Sequence, residues 1–316
     1  MSALRFSVVV PTYRRPDRLA ACLAALARQN LAREAFEVVV VDDGSGRPPR
    51  EIVAEAARDM DARLIEASHA GPAAARNVGA DRARGEWLAF TDDDCQPAPD
   101  WLSAFGARAD DAGGVMLGGC TRNALTDNPY ATASHDLLHY LYRYFNPDPK
   151  HARLFASNNL CLRRADFLAL GGFDAADFRD LAGGEDRELC ERWFDAGLRM
   201  EYVPGAVVMH AHPLDLRRFW HQHFAYGRGA YRLRVARARR GAGAVRIEPP
   251  RFYLGLLLAG RRPSVPQTLR LVMLLGLSQV ANAAGFFYEL RRASLASPAR
   301  GRAATSSATE NSPNPT

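Results

Sequence analysis

Residues 85–95, Gly-Glu-Trp-Leu-Ala-Phe-Thr-Asp-Asp-Asp-Cys, form a short apolar run that ends in three consecutive carboxylates. Trp87, Leu88, Ala89 and Phe90 read as a buried strand, and in a parallel sheet the ligand crevice opens beyond the carboxyl ends of the strands. Asp92, Asp93 and Asp94 fall at that point. Adjacent acids repel one another, so the cluster is tolerable there when a divalent cation or a basic ligand neutralises it. Oxygen ligands two residues apart suit Mg or Mn better than zinc. The competing reading is a solvated acidic turn, which placement straight after a buried strand disfavours.

The segments before it repeat the same grammar. Residues 6–10 are a β-branched run stopped by Pro11 and Thr12, and a helical pattern carrying Leu19, Cys22, Leu23 and Leu26 follows. Residues 36–41 give a second strand ending in Asp42-Asp43-Gly44-Ser45, with Ile52, Val53 and Ala56 marking the next helix. Residues 63–66 give a third short strand. His69-Ala70-Gly71-Pro72 turns the chain into an Ala-rich helix that contains Arg76, Asn77 and Gly79. Strands separated by helices of this length imply βαβ units and a mostly parallel sheet with both acidic groups facing one crevice.

With 316 residues, 47% of them hydrophobic, the chain suits one large α/β domain with additions or two modest domains, and it can build a full core. The net charge of +6 comes from an Arg-rich second half. That asymmetry favours an anionic partner such as nucleic acid, a membrane surface or a phosphorylated substrate, and charge alone does not choose among them. Five cysteines without a Cys-x-x-Cys pair argue against a zinc site or a disulfide framework and for a reducing compartment. No secretory leader is legible at the amino end.

Asp43 at a strand end can accept hydrogen bonds from a ribose or a base edge, and a cation on the 92–94 cluster can bind a diphosphate. A nucleotide diphosphate is the natural guest. Neither the Gly-x-x-x-x-Gly-Lys-Ser/Thr loop nor the Gly-x-Gly-x-x-Gly turn is present, so phosphates must be met by metal and arginine. Further on, residues 128–149 are rich in Tyr, His and Leu and have no decodable role. Residues 155–162 read as a strand. Gly183-Gly184-Glu185-Asp186 opens a helix; its acids either complement the helix dipole or present a general base on a glycine-hinged loop. Residues 203–209 form a last apolar strand, closed by His210-Ala211-His212. A histidine there can complete the metal site begun by Asp94.

The motifs Val8-Val9-Val10-Pro11-Thr12-Tyr13, Asp42-Asp43-Gly44-Ser45, Ala75-Arg76-Asn77-x-Gly79, Thr91-Asp92-Asp93-Asp94, Gly171-Gly172-Phe173-Asp174 and Glu185-Asp186 together resemble family 2 glycosyltransferases, in order and in spacing. The resemblance covers residues 6–212 and fades beyond. It implies a GT-A fold, a Rossmann-like and mostly parallel sheet flanked by helices. It also implies a nucleotide-diphosphate sugar donor, a divalent metal (Mg or Mn) and a single inverting displacement. Carried over residue by residue, Pro11, Tyr13, Arg15 and Asp43 would line the nucleotide pocket and Arg76 would approach donor phosphate or ribose. Asp92 and Asp93 would join the donor site, Asp94 and His210 would hold the metal, and Asp186 would be the base toward an acceptor hydroxyl. Processive members carry Gln-x-x-Arg-Trp after the base. This chain instead has Phe219-Trp220-His221-Gln222-His223-Phe224, which points to transfer of single sugars.

Residues 217–240 mix aromatics with arginines, a pattern suited to an anionic lipid surface, and residues 271–288 carry no charge. The expected organisation is a catalytic domain over 1–213, a basic and apolar helical region over 214–293 seated on a membrane, and a disordered tail over 294–316. The expected setting is the cytoplasmic face of the inner membrane, in cell-envelope glycan or glycolipid synthesis with an acceptor that can be lipid-linked; nucleic acid is not an expected partner. Two rivals are a non-catalytic nucleotide-sugar or carbohydrate-binding module, which would not need Glu185-Asp186, and a sugar nucleotidyltransferase, which would open with a Gly-rich loop after its first strand.

Overall fold

The computed structural model describes residues 4–109, 114–179, 181, 183–243 and 248–296. Strands β1 (Phe6–Thr12) and β2 (Phe36–Asp42) are buried at every position. Helix α1 (Pro16–Leu26) joins them, and α2 (Arg50–Ala56) leads from β2 to β3 (Asp61–Glu66). Helix α3 (Pro72–Arg82) then leads to β4 (Trp87–Thr91), the apolar run that delivers the acids. The first four strands are mutually parallel, as their β-branched runs and helical connections require. All four carboxyl ends therefore lie at one edge of the sheet.

The second half departs from that regularity. After β5 (Cys95–Pro97) and α4 (Trp101–Ala109) come β6 (Val115–Asn123), α5 (Pro129–Phe145), β7 (Asn159–Arg163), α6 (Arg164–Ala169), α7 (Glu185–Asp195) and β8 (Arg199–His210). The sheet order is β3-β2-β1-β4-β7-β6-β8-β5, with β7 antiparallel to both β4 and β6, and β5 antiparallel to β8. The expected strand at 155–162 is confined to its second half. Residues 155–158 are not strand, and Phe155 is buried instead against the face of Gly118, where a Cβ would collide with its ring. The undeciphered stretch 128–149 is mostly α5, capped by Asn128, whose side chain accepts from the Tyr130 and Ala131 amides.

Period-two burial splits the core across the sheet. Val8 and Val10 join Phe6, Leu19, Leu23 and Trp101 on one face, while Val9 joins Phe90, Leu160, Phe173 and Trp193 on the other. Each such side chain contributes about 1.5–3 kcal/mol on burial, which anchors the strands that carry the acids. Gly79 faces the Val9 and Val41 side chains, and the absence of a Cβ lets α3 lie close on β1 and β2. Arg76, one turn earlier on that helix, is thereby held at the strands' carboxyl ends.

Beyond β8 the chain forms α8 (Leu216–Arg239), α9 (Pro250–Leu258) and α10 (Val265–Ala296). Gly227 of α8 lies against the Asn282 carbonyl and Gly285 of α10 against the Phe224 carbonyl; a Cβ at either would fall inside the partner backbone. The basic stretch is not simply a lipid-facing surface. Arg228 and Arg232 pair with Glu289 at 2.7 and 2.9 Å, Arg237 with Glu191 at 2.7 Å, Arg239 with Asp177 at 2.7 Å, and Arg240 with Glu188. Acids far away in sequence thus pair with these five arginines, which a local reading of 217–240 has no means to register. The tail expected to be disordered begins inside α10, which runs to Ala296, and residues 297–316 lie outside the described residues.

Candidate active site

One cleft of about 1300 Å³ opens at the carboxyl ends of the central strands. Pro11, Tyr13, Arg15, Asp43, Arg76, Asp92, Asp93, Asp94, Asp186 and His210 all line it. Every residue given a role in the site by the resemblance is thus brought to one place.

The three adjacent acids avoid mutual repulsion by diverging toward different partners. Asp92 accepts from Arg76 at 2.6 Å. Asp93 is buried and accepts from the Thr12 hydroxyl at 2.8 Å and from Arg15 at 3.2 Å. Burial and the neighbouring Asp94 charge push its carboxyl up to about 6, against the pull of Arg15. Asp94 has the densest surroundings: Arg18 at 3.1 Å, Arg15 at 3.4 Å, His210 Nε2 at 3.3 Å and His212 Nδ1 at 2.9 Å. Although it is buried, hydrogen bonds and charge from the two histidines hold it well below the ordinary carboxylate range.

Asp94, His210 and His212 offer ligand atoms that all lie within 4.8 Å of one another. The tertiary cause is β5, which starts one residue after Asp94 and pairs Cys95 with His210 across an antiparallel ladder. The Ala211 amide also donates to the Asp94 carbonyl at 2.8 Å. Residues two apart on an extended segment project to one side, so His210 and His212 reach Asp94 together and their rings stack at 5.4 Å. His212 is the residue that sequence reasoning did not assign; the alternation His-x-His was the available signal. One carboxylate and two imidazoles make a donor set that fits a divalent cation.

At the other side of β1, Asp43 organises a turn. Its carboxylate accepts from the Ala70 amide at 2.8 Å and the Gly71 amide at 3.0 Å, and His69 Nδ1 lies 3.0 Å from the Asp43 carbonyl and 2.9 Å from the carboxylate. A carboxylate has roughly four lone-pair sites, which leaves room for one more donor from the cleft. Tyr13 stacks on His69 with ring centroids 4.4 Å apart, a flat aromatic wall beside that carboxylate. Asp42, by contrast, is occupied with the Ser45 amide and hydroxyl.

Helix α7 begins with Glu185 and Asp186 after two glycines in positive φ, Gly183 at 133° and Gly184 at 104°. Only glycine suits that backbone, and the space is equally tight: Gly183 abuts the Tyr226 ring and Gly229 of α8 abuts the Gly183 carbonyl. Helix α8 therefore clamps the loop that carries the acids. Neither acid caps the helix with its side chain as a cap residue does; the position before the helix is Gly184, and Asp186 accepts from the Arg187 amide at 2.7 Å. Glu185 is buried, receives Arg76 at 3.1 Å through one oxygen and has no hydrogen-bond partner on the other. Burial raises both carboxyls above their usual values, and Asp186's charge raises Glu185 further while Arg76 opposes it. Arg76 links the two halves of the cleft, touching Asp92 on one side and Glu185 on the other.

A sequence model for glycosyl transferase family 2 matches residues 7–171, and another, for the N-terminal domain of galactosyltransferase, matches residues 138–213. The chain belongs to glycosyl transferase family 2, and its fold is GT-A. Among proteins to which it is similar is a validoxylamine A glucosyltransferase of Streptomyces hygroscopicus subsp. jinggangensis, 33% identical over 61% of this chain and 52% of that one. The chain thus spans about half the length of that relative. Among solved structures it resembles the mannosyltransferase PcManGT from Pyrobaculum calidifontis in complex with GDP-Man and Mn2+, with TM-score 0.58, 22% identity, and 92% and 80% of the two chains covered. Staphylococcus aureus TarS 1-349 in complex with UDP-GlcNAc gives TM-score 0.56, 17% identity and 92% of each chain. Such coverage extends the likeness of fold past His212 into the helices beyond.

Proposed function

We propose that this protein moves a single sugar from a nucleotide-diphosphate donor to an acceptor hydroxyl with inversion at the anomeric carbon. The observation that carries the proposal is Arg76, whose guanidinium joins the acid cluster at the ends of the strands to the carboxylate pair on α7. Donor-binding and proton-accepting groups thereby share one cleft. Family membership and the nucleotide-sugar complexes of the solved relatives support the same reading.

In this scheme Tyr13, His69 and Asp43 receive the nucleoside, with Pro11 forming part of that wall. Arg15, and Arg18 beside it, meet the diphosphate, while Asp92 and Asp93 hold the surrounding arginine and threonine groups in place. Asp94, His210 and His212 would hold the divalent cation. When bound, that cation supplies Lewis-acid stabilisation of charge on the departing diphosphate. Asp186 accepts the proton of the acceptor hydroxyl as its oxygen attacks the anomeric carbon and the bond to the diphosphate breaks. Glu185 and Arg76 position that base, and no covalent sugar-enzyme intermediate forms. The test is release of nucleoside diphosphate from UDP-, GDP- and dTDP-sugars in the presence of Mn2+. Release from one donor above the metal-free control is expected; no release from any of them, with and without cell-envelope extract as acceptor source, counts against transfer.

We further propose that residues 1–213 are the transfer unit and that the helices of 214–293 seat it on the cytoplasmic face of the inner membrane, for cell-envelope glycan or glycolipid synthesis. The stretch Val265–Leu295 is long and apolar enough to cross a membrane, and only 33% of its most apolar window is buried in the protein. Its polarity is arranged inside out. Ser278 is buried, Gln279 and Asn282 line the cleft and Glu289 binds α8, whereas Leu269, Met273, Val280 and Phe287 are exposed. A water-facing helix has the opposite pattern. In fractionated cells the protein is expected with membranes and released by detergent rather than by salt; a wholly soluble protein at low salt would contradict this seating.

A further inference from the structure

We infer that the cleft has a second, apolar arm that receives the lipid chain of an amphipathic acceptor, an inference that rests on the transfer reading and specifies its acceptor class. At about 1300 Å³ the cleft exceeds the roughly 300–1,000 Å³ that a single small-molecule ligand occupies. The groups suited to a nucleotide and its phosphates are gathered at the strand ends. Part of the remaining wall is apolar, formed by Leu137, Leu141 and Phe145 of α5 and Phe252 and Leu256 of α9, with Ser134, His135 and Glu248 among the polar residues that share the lining. The apolar side chains form one cluster in which Leu137, Leu141 and Phe145 are only partly buried, so apolar surface is left facing the cleft.

The arm is continuous with the catalytic end. Arg187, next to the proposed base, stands 5.6 Å from the Phe145 ring. An acceptor whose hydroxyl reaches Asp186 thus has its aglycone directed along α5. Arg187, Arg217 and Arg218 line the same cleft and provide positive charge for an anionic headgroup. Helix α9 connects the arm to the outside. Phe252 and Leu256 look into the cluster and Tyr253 also lines the cleft, while Leu254 and Leu258 are exposed away from it. Phe252 and Leu256 are already buried by the protein, so it is the exposed Leu254 and Leu258 that need cover, which a membrane outside supplies. The polar Gln279 and Asn282 at the cleft complete a lining suited to a chain that carries a hydrophilic head.

The test is calorimetric titration of the full-length protein with dodecyl phosphate below its critical micelle concentration and with ethyl phosphate, which share a headgroup and differ in chain. Saturable binding of one dodecyl phosphate per protein, at least about tenfold tighter than ethyl phosphate, is expected. Leu141→Trp fills the arm and Leu137→Glu places a charge in it; each is expected to weaken dodecyl phosphate at least about fivefold while leaving Mn2+-dependent nucleoside diphosphate binding and the melting temperature unchanged. Equal affinity for the two phosphates overturns the inference. So does unaltered dodecyl binding in whichever of the two variants folds, since the chain would then lie on the exposed face of α9 and α10. Donor turnover by the wild type is measured separately, so failure of the arm and failure of the transfer reading are distinguishable.

Discussion

Asp186→Asn is expected to lower the transfer rate by at least about a hundredfold, the lower range for loss of a general base, with donor affinity and fold retained. The substitution keeps the size of the side chain and an oxygen that can accept from the Arg187 amide, the contact now made at 2.7 Å. It removes only the capacity to take a proton. If the residue served merely the amino end of α7, turnover would survive and stability would fall by about a kcal/mol or less. The pH profile supplies a second readout. Burial raises the Asp186 carboxyl above its usual value, so the base becomes protonated and inactive at a higher pH than the roughly 4 of an unperturbed aspartate. Transfer is therefore expected to fall as pH is lowered through that raised value, and the residual activity of the Asn variant should lack this limb. The wild-type product should carry the anomeric configuration opposite to the donor. Retained configuration, or near-normal turnover in the variant, would falsify the single-displacement mechanism even with glycosyl transfer established.

Asp94→Ala is expected to abolish Mn2+-dependent donor binding. The change removes the carboxylate that meets His210, His212, Arg15 and Arg18, and with it the anionic ligand of the proposed site. Loss of a supporting residue around a metal ligand costs about 10–100-fold in affinity, and loss of the carboxylate itself should exceed that. Paramagnetic resonance of free Mn2+ during titration measures the effect without reference to turnover. His210→Ala and His212→Ala should each weaken the ion less than Asp94→Ala, because an anionic ligand remains. An unchanged titration curve in Asp94→Ala, with donor binding still sensitive to EDTA, removes Asp94 from the metal site. If only His212→Ala is silent, the site is the Asp94 and His210 pair.

The sequence carried the parts of the site that are local. A buried strand must hand its next residues to the sheet edge, so residues 87–90 determine that Asp92, Asp93 and Asp94 stand at a crevice, and the β1 and β2 runs do the same for Pro11 and Asp43. The chain itself encodes the glycine hinge before Glu185, because positive φ at Gly183 and Gly184 demands that residue type. Continuous apolar runs and helical spacing gave the strand and helix order of the first half for the same reason: burial on both faces of a parallel strand leaves a continuous apolar signature.

Contacts between distant segments were decided only by the tertiary structure. Antiparallel pairing of the three-residue β5 with β8 brings two histidines to Asp94 across more than a hundred residues, and no local pattern encodes which of them arrives. The acids that pair with Arg228, Arg237, Arg239 and Arg240 lie elsewhere in the chain, so a local reading of this stretch sees their charge without their partners. Helix α5 was unreadable for a related reason: its apolar residues are divided among the sheet core, α8, α9, α10 and the cleft. Hydrophobic periodicity records that a face is covered, whereas its partner is fixed by the packing of the whole chain.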